Sequence, residues 1–270
     1  MAGARRPCAP RAGAREQRGP VGGVQRAVRH VALGRVTAAS KHPVGSALRE
    51  RPAAILLDAM GTLVELEDPA PHLVAELGAR GVGGVTLTDA RRAVRAEIAL
   101  YRAEHDTAVD APSLAALRRR CAAVIATELG GLNNELVLDA LLGAIRFRPY
   151  PEVPGVLAAL RARGDRLAVV SNWDVSLHDV LARTGLRDRV DAVVVSATAG
   201  AAKPDPAIFA QALAALGAVP GDALHAGDDL RADVAGARAA GIAAVLVARD
   251  GAVPPDGVRA IASLDGLLTG

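Results

Sequence analysis

The chain has 270 residues, 51% of them hydrophobic and only 2% aromatic. That allows one or two domains with a core of Ala, Val and Leu, and no run of about 18 apolar residues offers a membrane span. The formal charge of +3 is uneven: in residues 1–50 nine arginines and Lys41 face only Glu16 and Glu50, so the remaining 220 residues carry a net −5. Nothing in that acidic body suggests a nucleic-acid surface. Cys8 and Cys121, the two cysteines, show no metal-ligand spacing and no disulfide framework, which fits a reducing, cytoplasmic setting.

Residues 1–50 are rich in Arg, Ala, Gly and Pro and read as a basic, disordered N-terminal extension. They lack the apolar stretch of a secretory signal. A transit peptide, a nucleic-acid arm and a start upstream of the true domain stay open. From residue 51 the pattern becomes orderly. Ala53–Leu57 is a continuous apolar run stopped by a Gly-containing turn, which predicts a parallel strand buried on both faces. Asp58 then falls at the strand's carboxyl end, where open α/β sheets build their sites. An ionised carboxylate there requires a metal or a partner.

From about Ala70 to Ile145 the spacing is helical. Thr88-Asp89 reads as a helix start, followed by Val94, Ile98 and Tyr101 on one face. Leu114, Leu117, Cys121, Val124 and Ile125 repeat the spacing, as do Leu136, Leu138, Leu141, Leu142 and Ile145. After Pro149-Tyr150-Pro151 helices and strands alternate: helices 154–163, 175–184, 205–217 and 232–240, each followed by a strand, at 166–170, 192–195, 223–226 and 243–247. Such alternation predicts βαβ units and a parallel sheet. The expected architecture is α/β: a doubly wound parallel sheet from 51–65 plus 149–270, with an α-helical insert at 66–148.

Four polar clusters each follow a predicted strand: Asp58, Ser171-Asn172, Lys203-Pro204-Asp205-Pro206 and Gly227-Asp228-Asp229. In a parallel sheet these ends share one edge, so the four converge. Lys203 is one of only two lysines, with Lys41, in a chain that holds 30 arginines. Arg does not replace Lys where a compact ammonium is needed. Three carboxylates in one crevice repel by about 4 kcal/mol per close pair at an effective dielectric near 20. A hard divalent cation with oxygen ligands offsets this, and Mg²⁺ commonly uses one or two carboxylates plus substrate phosphate.

In their order and content the four clusters resemble the motifs of haloacid dehalogenase-like hydrolases, with the insert where that family carries its helical cap. The resemblance covers about residues 51–250. It implies Asp58 as a nucleophile that forms an aspartyl-phosphate, with Thr62 closing the first motif and counted among the catalytic residues. It implies Ser171 as the hydroxyl on the phosphoryl oxygens, Asn172 as a substrate-binding neighbour and Lys203 as the group steadying nucleophile and phosphate. It implies Mg²⁺ held by Asp58, the Met60 backbone carbonyl and Asp228, with Asp229 and Asp233 in support. In Asp58-Ala59-Met60-Gly61-Thr62, however, Met60 stands where most phosphatases of the family carry a second Asp that transfers a proton. A thioether has none to give.

The resulting expectation is a Mg²⁺-dependent phosphatase of a small phosphorylated metabolite, with no nucleic-acid or membrane partner and no readable oligomeric state. The alternatives are a weakly active or non-catalytic module that binds a phospho-ligand, and a metal-free 2-haloacid dehalogenase. Asp229 reads equally as a helix cap. His225 reads as packed inside a strand and His178-Asp179 as an exposed helical pair. Trp173, Tyr101, Arg102, His105, Arg146 and Arg148 are candidates near the site for which ordinary packing or solvation is the default.

Overall fold

The computed structural model describes residues 52–269, so the expected N-terminal extension lies outside the described residues. The chain enters on β1 (Ala54–Leu57), whose four residues are all buried. After the insert come α5 (Val153–Ala162), β4 (Arg166–Ser171), α6 (Leu177–Arg183), β5 (Ala192–Val195), the single turn α7 (Ser196–Ala199), α8 (Pro206–Leu216), β6 (Ala223–Gly227), α9 (Gly236–Ala239), β7 (Ala243–Val247) and β8 (Ala260–Ile261). The sheet order is β5-β4-β1-β6-β7-β8, and every pairing is parallel. The chain winds outward from β1 through β4 and β5, then returns to the other side of β1 with β6. That reversal makes the carboxyl end of β1 the switch point where such sheets bind ligands.

Alternation along the strands sorts the core into two layers. Ile55 and Leu57 of β1, with Leu167 and Val169 of β4, join Val156, Leu157 and Leu160 of α5 on one face. Ala54, Leu56, Ala168 and Val170 face the other way, onto Ile208, Phe209 and Ala212 of α8. A period of two in side-chain direction explains why a continuous apolar run is needed: both faces are covered.

The insert begins on β2 (Val64–Leu66) and ends on β3 (Phe147–Pro149), an antiparallel ribbon in which Glu65 lies opposite Arg148 and pairs with it at 2.8 Å. Between them lie α1 (Pro69–Ala79), α2 (Leu87–Glu104), α3 (Ala111–Glu128) and α4 (Asn134–Ala144), packed around a hydrophobic cluster of their own. Side chains start each helix: Asp68, Thr86, Asp110 and Asn133 accept from backbone N–H groups of the first turns. The start of α2 is thus at Thr86, two residues before the expected Thr88-Asp89, because Thr86 Oγ1 accepts from the Asp89 N–H. Two further differences from expectation bear on the site. The predicted helix 232–240 is a π-helical turn over Leu230–Ala235 followed by α9. The short strands β2, β3 and β8 carry too few residues for a readable period.

Among the described residues no helix is long and apolar enough to cross a membrane. Leu167 is fully buried at the centre of the first layer. Leu167→Ala is expected to lower unfolding free energy by about 2–5 kcal/mol in urea titration. A loss below about 1 kcal/mol would contradict this placement of the core.

Candidate active site

Register brings the strand-end residues to one level. Leu57, the last residue of β1, pairs with Val169 and with Ala226, so Asp58, Ser171 and Asp228 emerge from the same sheet edge. Lys203 Nζ donates to Asp58 Oδ1 at 2.5 Å and to Asp233 Oδ1 at 2.6 Å. Ser171 Oγ donates to the same Asp58 Oδ1 at 3.0 Å. His225 Nε2 lies 2.9 Å from Asp233 Oδ1, and the Asp229 N–H donates to Asp233 Oδ2 at 3.0 Å. All five side chains of this chain of contacts, Ser171, Asp58, Lys203, Asp233 and His225, are buried.

The electrostatics follow from that geometry. Burial alone would lower the Lys203 ammonium, but Asp58 and Asp233 outweigh it and hold its pKa above the ordinary value. Burial would likewise raise Asp233, yet Lys203 and His225 hold it well below the usual carboxylate range. Burial raises the Asp58 carboxyl against the pull of Lys203. Asp228 completes the acidic group: a ligand oxygen from each of Asp58, Asp228 and Asp233 lies within 4.8 Å of the others. Loss of solvent around its carboxyl, then the charges of Asp58 and Asp233, push Asp228 up to about 7. Three carboxylates around one ammonium leave a surplus of negative charge, and Asp228 shows the strain.

Asp233 is already engaged by Lys203, His225 and the Asp229 N–H, so Asp58 and Asp228 are the carboxylates with more capacity for a cation. No N–H of the described residues donates to the Met60 carbonyl. This donor set, two carboxylates and a carbonyl beside an excess of negative charge, is the hard oxygen chemistry that suits Mg²⁺. Two glycines make room for it. Gly61 has φ +75°, and a Cβ there would come within 2.1 Å of Asp228 Oδ2. A Cβ on Gly227 would come within 2.2 Å of Asp233 Cγ.

Other expected residues take different places. Asn172 spends both ends of its amide on Lys203: Nδ2 donates to the Lys203 carbonyl at 2.8 Å, and Oδ1 accepts its N–H at 2.7 Å. It therefore positions the lysine loop, where substrate contact was expected. Thr62 is fully buried and its hydroxyl has no partner, so it stands behind the site. Asp229 caps the π-helical turn, with Oδ1 accepting from the Arg231 and Ala232 N–H groups, and is not part of the metal group. Arg146 pairs with Glu76 and Arg148 with Glu65, both on the insert side.

The sequence reading missed Arg249, which follows β7. It donates to the Gly61 and Thr62 carbonyls at 3.0 and 2.7 Å, pairs with Glu152 at 2.7 Å and stacks 3.5 Å above the Tyr150 ring. One side chain thus clamps the loop after Asp58 from three elements. An Arg after a strand carries no local signal of such a role.

A cavity of about 720 Å³ opens beside Asp58, lined from the sheet side by Met60, Asn172 and Trp173 and from the insert by Tyr101, Arg102 and Arg118. Trp173 is buried against Phe147, with ring centroids 5.2 Å apart. The insert reaches the sheet edge here. Tyr101 Oη donates to Asp174 at 3.0 Å, the Val175 N–H donates to the Ala108 carbonyl at 3.1 Å, and Ser196 Oγ donates to Asp106. Asp174 and Ser196 were likewise unmarked in the sequence.

Residues 52–241 match the family model of haloacid dehalogenase-like hydrolase. The chain belongs to that family. It is 47% identical over 92 residues to haloacid dehalogenase-like hydrolase domain-containing protein 3 of Bos taurus, covering 34% of this chain and 37% of the relative. Over 105 residues it is 41% identical to phosphoserine phosphatase of Thermus thermophilus, covering 38% of this chain and 42% of the relative. The alignments thus span less than half the length of these curated relatives. A solved HAD phosphatase from Thermococcus onnurineus superposes with a TM-score of 0.56 at 26% identity, covering 80% of this chain and 96% of that one. The α/β sheet of this chain is the fold of the family.

Asn172→Ala removes both bonds that hold the Lys203 backbone. It is expected to cost about 1–3 kcal/mol in chemical denaturation. An unchanged midpoint would mean that Pro204 and the packing of α8 hold the loop without it.

Proposed function

We propose that this hydrolase is a Mg²⁺-dependent phosphatase of small phosphorylated metabolites that works through an aspartyl-phosphate on Asp58. The observation that carries the reading is the convergence of Lys203 Nζ and Ser171 Oγ on one oxygen of Asp58 at the carboxyl end of β1. An ammonium and a hydroxyl so placed serve two ends: they orient the carboxylate, and they neutralise charge on the equatorial oxygens of a transferring phosphoryl group. The dehalogenase alternative would form an alkyl ester on Asp58 without a metal, and Mg²⁺-independent chloride release from 2-chloropropionate would favour it.

Asp58 and Asp228, with the Met60 carbonyl, would hold the Mg²⁺, which supplies neutralisation of the phosphate charge. The residues of the chain do the rest. An Asp58 oxygen attacks phosphorus while the ester P–O bond breaks, and the departing alkoxide takes its proton from solvent. Water then attacks the acyl phosphate, which releases inorganic phosphate and restores Asp58. Lys203 stays charged throughout, fixed by Asp233, whose second oxygen is tied to the Asp229 N–H. The helical insert acts as a cap that closes the cavity from water, with Glu65–Arg148 at its root and Tyr101–Asp174 at its contact with the core.

Met60 supports a second reading, in which the same crevice binds a phosphorylated ligand and turns over weakly or not at all. Positioned proton transfer is worth about 10²–10⁴ in rate. Met60→Asp is expected to raise phosphatase kcat by about that order. A gain of this size would show a site intact in all but its proton carrier, whereas no gain would favour the binding module.

For the leading reading, p-nitrophenyl phosphate turnover is expected to require Mg²⁺ and to vanish in Asp58→Asn. Turnover indifferent to both changes would overturn it. The raised Asp228 adds a pH dependence. Below about pH 7 its carboxyl holds a proton that a cation must displace, so affinity falls as pH falls. One linked proton lowers Mg²⁺ affinity about tenfold between about pH 8 and about pH 6, read by calorimetry. A pH-independent affinity would remove Asp228 from the metal site.

A further inference from the structure

Glu97 of α2 is the one buried charged side chain of the helical insert among the described residues. It lines the cavity beside Met60's end of the site, in a wall otherwise built of Ile98, Leu114, Leu117, Cys121 and Leu141. The Cys121 thiol on α3, a weak donor, is its hydrogen-bond partner, and Glu97 takes part in no ion pair among the described residues. By contrast Glu76 pairs with Arg80 and Arg146, and Glu104 with Arg120. Arg102 and Arg118 line the same cavity about one turn along α2 and α3, yet neither pairs with Glu97.

A carboxyl in such a wall costs stability and gives nothing back to the packing of the insert. Burial lifts its pKa above the usual carboxylate range, as expected of an acid without a cation. The same two properties make it a receptor. An ammonium entering the cavity would bring an opposite charge and three donors to a carboxyl screened from water, where pairing counts most. The apolar residues around it would cover a hydrocarbon spacer, and the volume of about 720 Å³ lies in the range of small-molecule sites.

We propose that Glu97 is a specificity residue that recognises an ammonium group on the alcohol portion of the substrate, so that the preferred substrates are phosphate esters carrying an amine across an apolar spacer. This rests on the phosphatase reading for the phosphoryl end alone. The amine end is a matter of binding.

The test is calorimetry on the wild-type protein with Mg²⁺, using non-hydrolysable ω-aminoalkylphosphonates against n-alkylphosphonates of the same chain length. At a chain length that spans the site the amine is expected to bind at least about tenfold more tightly. Glu97→Gln is expected to level the two series and to melt at a higher temperature than wild type, because it removes an unpaired buried acid. No amine preference at any length, a preference that survives Glu97→Gln, or a lower melting temperature for that variant would each overturn the proposal. Turnover of p-nitrophenyl phosphate is followed in parallel. Its absence would count against the phosphatase reading, while the calorimetry still decides the role of Glu97.

Discussion

The Lys203 ammonium, held between Asp58 and Asp233, is the interaction on which the site depends. A lone buried cation or a lone buried carboxylate would be expelled or neutralised. Here each makes the burial of the others tolerable, and the arrangement stands only with its hydrogen bonds complete. His225 and the Asp229 N–H take the remaining capacity of Asp233. Ser171 adds a donor to Asp58. The surrounding fold can be understood as the means of delivering these groups. Parallel register brings Asp58, Ser171 and Asp228 to one edge, the Asn172 amide holds the Lys203 backbone, and the π-helical turn aims Asp233 inward.

The pairing is deliberately incomplete in charge. One ammonium faces three carboxylates, and the excess collects on Asp228. The proposed Mg²⁺ beside Asp58 and Asp228 would relieve that excess, and a phosphate dianion would deepen the same need. Gly61 and Gly227 are the steric counterpart, since both give up a side chain to leave space for the Asp228 and Asp233 carboxylates.

How far this was legible in the sequence depended on whether a role is set by the chain's local course or by its closure in space. The convergence of Asp58, Ser171, Lys203 and Asp228 was readable because Asp58, Ser171 and Asp228 stand at apolar strand ends, Lys203 follows β5 after a short loop, and parallel strands share an edge. The α/β fold was readable for the same reason. The hold of Asn172 on the Lys203 backbone was not readable, because it is fixed by the approach of two loops 31 residues apart. Thr62 sits in the right motif, yet its carbonyl is held by Arg249, more than 180 residues away, a contact with no local signal. The π-helical turn and the two-residue β8 leave no period to detect. Glu97 carried no mark in the sequence, since its burial arises from the packing of other insert helices around α2.

Met60 separates the two chemical steps of the proposed reaction. The groups for attack and for charge neutralisation are in place, while the position that would carry a proton holds a thioether. With p-nitrophenyl phosphate the leaving group departs without a proton, so formation of the acyl phosphate should be little affected. The water that must then attack phosphorus of the acyl phosphate has no base at residue 60, and the second step should lag. The decisive measurement is a rapid-quench experiment with Mg²⁺ and p-nitrophenyl phosphate, with borohydride trapping to locate the phosphorylated residue. The account expects a burst of nitrophenol near one equivalent, slow turnover after it, and label on Asp58. A linear time course with no label on Asp58 would contradict it.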